Sequence, residues 1–451
     1  MSRFAGLIIL WCCPALLSCA DPTAPAAVVT AAPVINSGDT AWVLTSAALV
    51  LFMTIPGLGL FYAGLVRTKN ALAVMMQCFT CTAVMTLLWV LVGYSLAFDQ
   101  THMSTTGLNL QSFVGWFGKA GLLGLTADSV HPLMPTVPEA AFCIFQLSFA
   151  IITPALLVGA FAERIRFSAM LLITSAWMLL VYCPLAHMAW GGPGALFFDW
   201  GLLDTAGGTA IEANSGIAAL VLALMVGRRQ GFPQTPMIPH NMLLCATGAG
   251  MLWVGWFGFN AGGVGAANGT TAMTVLATQL AAAAAAVTWS LIEWFKNGKP
   301  SALGAITGAV GGLVAITPAA MFVGPLGAIV VGMAAGFACW FAVVKLKSIF
   351  KYDDSLDVFG VHGVGGIVGT ILTGVLAAKA LGGSKDIEPL AQTLIQLKAL
   401  AVTAVWSIAA TWLIVKLTDR LVGLRVTASE ERTGLDLASH GETAYQYEER
   451  L

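Results

Sequence analysis

Long apolar runs, separated by short polar stretches that carry Gly, Pro or charge, recur along the whole chain after residue 40. A helix needs about 20 predominantly apolar residues to cross the hydrocarbon of a bilayer. Windows of that kind fall at roughly 40–65, 71–97, 139–162, 168–190, 207–227, 240–260, 271–294, 301–320, 324–345, 358–379 and 392–418. The pattern predicts an all-α membrane protein of eleven transmembrane helices.

The basic residues give these spans a direction. Arg67 and Lys69, Arg164 and Arg166, Arg228 and Arg229, Lys296 and Lys299, and Lys345, Lys347 and Lys351 fall in alternate connections, and Arg420 and Arg425 follow the last span. The other connections hold only Lys119, Lys379 and Lys385. Because short cytoplasmic loops are enriched in Lys and Arg, the mature N-terminus is expected outside and the C-terminal tail inside, as an odd number of spans requires. The first twenty residues have a basic start at Arg3, the apolar run "FAGLIILWCCPALL" and small residues before Asp21, the pattern of a secretory signal peptide. A retained first helix or lipid attachment at Cys19 is the alternative. The expected organisation is a signal peptide over 1–20, an external segment over 21–38, a transmembrane domain over 39–419 and a cytoplasmic tail over 420–451.

Composition agrees with the pattern and excludes a soluble domain. Residues are 58% hydrophobic and 10% charged, against about 25% charged in soluble domains, and the mean hydropathy is +0.84. The net charge of −1 adds little, since placement speaks louder than the sum. Cys78, Cys81, Cys143, Cys183, Cys245 and Cys339 lie in apolar spans and read as small buried hydrophobes. No metal-ligand cluster, phosphate loop or catalytic triad is visible, so neither a cofactor nor a nucleic-acid partner is expected.

Within span 5, "LLDTAGGTAIEANSGIAALVLAL" sets a carboxylate, Glu212, inside a membrane-grade stretch. An ionisable group at that depth costs several kcal/mol by most scales, so it is expected to face a cavity and hold a partner. A repeat points to the partner. "EANSGI" (212–217) and "HGVGGI" (362–367) each place an ionisable residue four positions before Gly-Ile, in spans 5 and 10, and "FYAG" (61–64) and "FNAG" (259–262) end spans 1 and 6. Five spans followed by five form an inverted repeat, and such repeats place a transport path at their interface near the midplane. Glu212 and His362 are the equivalent residues expected to meet there. The 49 glycines read mainly as sites of close helix packing.

The segments "FMTIPGLGLFYAGLVRTKN" (52–70), "GAFAERIRFSA" (159–169), "AHMAWGG" (186–192), "GWFGFNAGG" (255–263), "DVFGVHGVGGIVG" (357–369) and "GLDLASHGETAY" (434–445) resemble those of the ammonium transporter (Amt/Mep/Rh) family. The resemblance implies a recruitment site for NH4+ at Trp190, Phe149, Gly263 and Asp204, a gate of two stacked rings at Phe149 and Phe259, and a pore relay at Glu212 and His362. It also implies a homotrimer in the cell inner membrane, ammonium or methylammonium as substrate, lipid around it and a PII-type signal protein at the cytoplasmic face. Two positions depart from the family pattern. Gly263 stands where a Ser is usual, which implies either weaker recruitment or a backbone carbonyl or water that accepts from ammonium in its place, and Glu212 stands where most bacterial members have His, a pairing that resembles some fungal members.

The residue chemistry fits those roles. An indole face offers a cation–π site that replaces part of an ammonium hydration shell, and an apolar lumen with one relay favours deprotonation at the gate, passage of NH3 and separate travel of the proton. Asp204, just before span 5, is placed either to cap that helix or to contact the ion. His187 reads as a structural histidine, Asp357 as a helix cap or salt-bridge partner, and His240 with Arg228 and Arg229 as ordinary interface residues. The tail resembles an ordered family tail that contacts a neighbouring subunit. Inward ammonium transport is the expected function. An ammonium sensor that binds with little conduction is the alternative, and an intramembrane enzyme would need a nucleophile or metal beside Glu212.

Overall fold

The structure is a computed structural model that describes residues 34–446. The expected signal peptide over 1–20, most of the external segment and the last five tail residues lie outside the described residues. Eleven apolar helices follow the chain order, α1 (Ser37–Leu65), α2 (Thr68–Phe98), α3 (Glu139–Phe161), α4 (Phe167–Trp190), α5 (Gly208–Val226), α6 (Met242–Gly262), α7 (Gly269–Asn297), α8 (Ala302–Ile316), α9 (Pro325–Phe350), α10 (Phe359–Leu376) and α11 (Pro389–Val422). Ten of them, among the described residues, are long and apolar enough to cross a membrane, and α8 is shorter. The apolar run behind α8 extends to about 320, but the helix stops at Ile316: Thr317 keeps helical angles at φ −52° and ψ −43°, and Pro318 after it has no N–H to continue the ladder. Extended backbone pairing among the described residues is confined to three isolated bridges.

Local chemistry sets most boundaries. Side chains of Asn36, Asn241, Asn268 and Ser301 accept from the first free amides of α1, α6, α7 and α8, which a helix start leaves without partners. Glu388 does the same ahead of Pro389 in α11. Gly298 ends α7 at φ 74°, a left-handed conformation open to glycine. Pro56 breaks α1, where Ile55 leaves the helical region at φ −129° and ψ 107°. α3 lies at the centre, 94% of its apolar window buried, against 33% for α7 and α11 at the periphery. The six cysteines among the described residues are buried and free.

The connections after α1, α3, α5 and α9 meet at one end in a network of ions. Glu163 takes Arg67 at 2.6 Å and Arg229 at 3.5 Å, and Arg229 in turn meets Asp353 at 2.7 Å. Reading Arg229 as an ordinary interface residue was incorrect. It is 4% exposed, because carboxylates from two distant connections close around it, and a buried charge persists only when so paired. Lys347 and Asp357 form a pair at 2.6 Å, which makes Asp357 a salt-bridge partner and leaves the capping of α10 to Asp354.

The tail packs on this same end. α12 (Ala428–Thr433) starts in a reciprocal cap between Thr427 and Glu430. Glu431 holds Arg425 at 2.8 Å and accepts from Gln230 N at 2.7 Å, and Asp436 accepts from the amides of Leu72 and Ala73. His240 bridges Val66 O and the Tyr445 hydroxyl. The tail is thus ordered by its own chain. At the opposite end, the connection 99–138 is tied down by Lys119 against Glu139 at 2.9 Å and by His187. The two ring nitrogens of His187 face backbone carbonyls of this end, Ala97 O at 2.9 Å and Gln111 O at 2.7 Å, which fits a structural role.

Candidate functional site

Three voids follow one another through the bundle. The first, of about 290 Å³, opens at the His187 end and is lined by Phe145, Phe149, Trp190, Asp204, Thr205 and Gly263 among others. The second, of about 10 Å³, is walled by Ile152, Leu156, Ile211, Trp256, Phe259 and Val310, with Glu212 and His362. That is about the least space that admits one water-sized molecule. The third, of about 360 Å³, opens at the Arg229 end and shares Phe61, Val310 and His362 with the second.

Trp190 ends α4 half-buried, and its indole N–H donates to Asp204 O at 3.0 Å. The edge of the ring is thereby fixed while a face is left for the void. Asp204 is a cap: its carboxylate accepts from Gly207 N, Gly208 N and Thr209 N at 2.8, 2.7 and 2.9 Å. Burial pushes this carboxyl above the usual carboxylate range, although the three amides work against it. Of the two roles open to Asp204, its hydrogen bonds supply the first.

Gly263 follows α6 and faces the void. A Cβ there would sit 3.2 Å from Thr205 O, so the missing side chain leaves that carbonyl as the polar atom nearest the gap. Phe149 and Phe259 meet below, ring centres 4.6 Å apart and planes at 67°, edge to face rather than stacked as expected, and both are buried. The pair stands between the first and second voids, where no hydrated ion passes without the rings moving.

Glu212 and His362 meet at 2.6 Å, Oε2 to Nδ1, with side chains 1% and 6% exposed. The contact is as short as charge-assisted hydrogen bonds become. Since Nδ1 is committed to the carboxylate, the other ring nitrogen is the one that remains for a molecule in the lumen. Both residues stand on widened π-type turns, Gly208–Ala213 and Phe359–Gly363, each followed by a 13-residue helical stretch. Such turns aim side chains that a regular helix would not.

The glycines four positions on explain how the two turns come so close. A Cβ on Gly216 would lie 2.0 Å from Gly363 N, and one on Gly366 would lie 2.5 Å from Ala213 N. Each helix therefore crosses the other's turn through a glycine. The second repeated pair behaves alike: Gly64 abuts Cys245 near the start of α6, and Gly262 abuts Ser46 near the start of α1.

All seven candidate residues border the first two voids, with His362 reaching the third. Asp354 escaped notice in the sequence, although the signal was present. It stands eight residues before His362, as Asp204 stands eight before Glu212, and it donates its carboxylate to the same task, accepting from Phe359 N at 2.7 Å. Burial pushes it up to about 6. Phe61 and Trp256, whose N–H donates to Thr317 Oγ1 at 2.8 Å, were also unremarked because isolated aromatics in apolar spans look alike. Among the described residues, no three His, Cys, Asp or Glu side chains are grouped to hold a metal ion.

Known proteins resemble this chain over the same region. The Ammonium Transporter Family matches residues 41–445. An ammonium transporter of Aquifex aeolicus is 44% identical over 414 residues, covering 91% of this chain and 94% of its own. The crystal structure of Candida albicans Mep2 superposes with a TM-score of 0.79 at 34% identity, covering 88% of each chain. A sensor Amt protein superposes at 0.81 with 28% identity, covering 89% of this chain and 98% of its own. With a family match across nearly the whole described region and relatives above 40% identity, this chain belongs to the ammonium transporter family.

Proposed function

We propose that the protein carries ammonium across the cell membrane, taking NH4+ at the Trp190 void, removing its proton near Glu212 and His362, and passing NH3 and the proton inward separately. The observation that carries this reading is the 2.6 Å Glu212–His362 pair set in an otherwise apolar void of about 10 Å³. An unpaired ion in such a space loses its hydration at a cost of many kcal/mol. Ammonia is neutral and of water size, and the carboxylate–imidazole pair supplies an acceptor for the proton left behind. Methylammonium fits the same chemistry as a larger analogue. Family membership supports the substrate. The test is a current measured on purified protein in supported membranes after an ammonium pulse. The resemblance to a sensor Amt protein keeps the second reading specific: intact ammonium binding with no current assigns the chain to sensing.

Trp190, Phe149, Gly263 and Asp204 form the recruitment site in this proposal, and Phe149 with Phe259 the gate. Trp190→Leu removes the cation–π face, worth up to about 2 kcal/mol when desolvated. Half-saturation by ammonium is expected to rise about tenfold, since about 1.4 kcal/mol corresponds to that factor. An unchanged concentration dependence of uptake removes Trp190 from recruitment. Gly263→Ser places a hydroxyl beside Thr205 O and is expected to tighten half-saturation at least about tenfold, as one hydrogen bond to a charged group contributes about 1.5–3 kcal/mol. Equal behaviour of Gly263→Ser and the parent in titrated uptake means that the carbonyl already does the work of the hydroxyl.

In the same proposal α8 is the eleventh crossing, the two sets of five helices are an inverted repeat, and the N-terminus lies outside with the tail inside. The reciprocal glycine contacts support the repeat, and the gathering of Arg67, Arg229 and Glu163 at the tail's end supports the orientation. Residues 1–20 are the signal peptide, 21–38 the external segment, 39–419 the transmembrane domain and 420–451 the cytoplasmic tail of an inner-membrane homotrimer. A PII-type protein docks at the tail's face. Mass measurement of the detergent-purified protein, with and without such a protein, tests the last two points.

A further inference from the structure

Gln392 and Gln396 lie one turn apart on α11, both buried in a helix otherwise suited to lipid. A side-chain amide in such surroundings is costly unless its hydrogen bonds are met. Those of Gln396 are all met. Its Oε1 accepts from Leu203 N at 3.0 Å and from Gln392 Nε2 at 3.2 Å. Its Nε2 donates to Leu203 O at 2.7 Å and to Thr370 O on α10 at 3.3 Å. This uses both donors and both acceptor sites of the amide. Gln392 adds a bond to Gly201 O at 2.9 Å.

Gln396 thus grips both peptide groups of Leu203 as a neighbouring strand would. The next residue is Asp204, whose carbonyl receives the Trp190 indole N–H at 3.0 Å. An unbroken path of backbone and hydrogen bonds runs from a buried amide on α11 to the ring that faces the first void. The indole presents its face at the angle that the Asp204 carbonyl dictates, and that carbonyl is only as fixed as the peptide before it.

We propose that Gln396 is a positioning residue for ammonium recruitment, clamping the Leu203 peptide so that the Asp204 carbonyl holds the Trp190 indole in its binding orientation. The inference rests on the assignment of Trp190 to recruitment. Gln396→Met keeps length and apolar packing but removes the clamp. It is expected to raise half-saturation by ammonium about fivefold, to leave maximal current within about twofold, and to add less than twofold in a Trp190→Leu background, where there is no indole left to orient. A residue with a merely structural role lowers the amount of active protein and the maximal current without this split or this dependence on Trp190.

The measurements are ammonium titrations of current on the purified full chain for the two single variants and the double. Unchanged half-saturation in Gln396→Met, or effects that multiply in the double variant, overturn the proposal. Should Gln396→Met not assemble, Gln392→Met, which releases Gly201 and one donor to the clamp, decides it: a rise of about twofold in half-saturation supports the clamp and no change overturns it. A Trp190→Leu titration identical to the parent's removes the recruitment assignment itself, an outcome distinct from failure of the clamp alone.

Discussion

Glu212→Gln is expected to abolish the ammonium-evoked current while expression and assembly survive. The amide matches the carboxylate in shape and still hydrogen-bonds His362 across the 2.6 Å contact, so packing of α5 against α10 is retained. What it lacks is a group that titrates. If the proton of NH4+ leaves by way of this pair, the amide leaves the imidazole without a proton-accepting partner, and a loss of at least about a hundredfold follows, the lower bound of what a positioned acid–base group contributes. Glu212→His is the complementary variant. It keeps a titrating group, so current persists, but the relay then depends on imidazoles whose ordinary value is about 6.5 rather than about 4.3 for Glu, and the pH profile moves. A Glu212→Gln protein that conducts like the parent with the same pH dependence would falsify the relay and reduce Glu212 to a packing residue.

The second large effect belongs to a glycine. Gly216→Ala puts a methyl group 2.0 Å from the Gly363 amide nitrogen, far inside van der Waals contact and against backbone that has no rotamer to yield. α5 and α10 must separate, at a cost toward the upper end of the about 1–3 kcal/mol typical of overpacked cores, and the 2.6 Å contact is broken with them. Loss of current together with a markedly lower thermal unfolding temperature in detergent is expected. Gly250→Ala is the control, since nothing lies within 4 Å of its Cβ position and Ala favours a helix by about 1 kcal/mol over Gly. Gly216→Ala matching that control in stability and current means that the crossing is looser than its geometry indicates.

Much of this arrangement is legible in the order of residues. Apolar length located the helices, and the cost of a carboxylate in lipid made Glu212 conspicuous and demanded a partner. The repeat then supplied His362. The same 150-residue spacing applied to Asp204 leads to Asp354, but a carboxylate at a helix end attracts no attention unless the repeat is carried that far. Arg229 was misread because charges just beyond an apolar run look alike whether water or two carboxylates surround them. Glu163 and Asp353 are 66 and 124 residues away, and no local pattern joins them. Gln396 was invisible for the opposite reason: polar residues in the first turns of a long helix resemble the ordinary wet end of a span. The early stop of α8 could have been read from Pro318, whereas the continuing apolar run pointed past it.

The Glu212–His362 contact also has a history in time. Its partners are 150 residues apart, and a chain made at about 5–20 residues per second exposes the first of them to the membrane for about 8–30 s before the second exists. Throughout that interval the helix carrying Glu212 has nothing with which to share its proton, so the newborn carboxyl must cross as the neutral acid or stay hydrated at the insertion machinery. Biogenesis of this protein therefore includes an obligatory wait, ended only when α10 arrives and the acid meets its base.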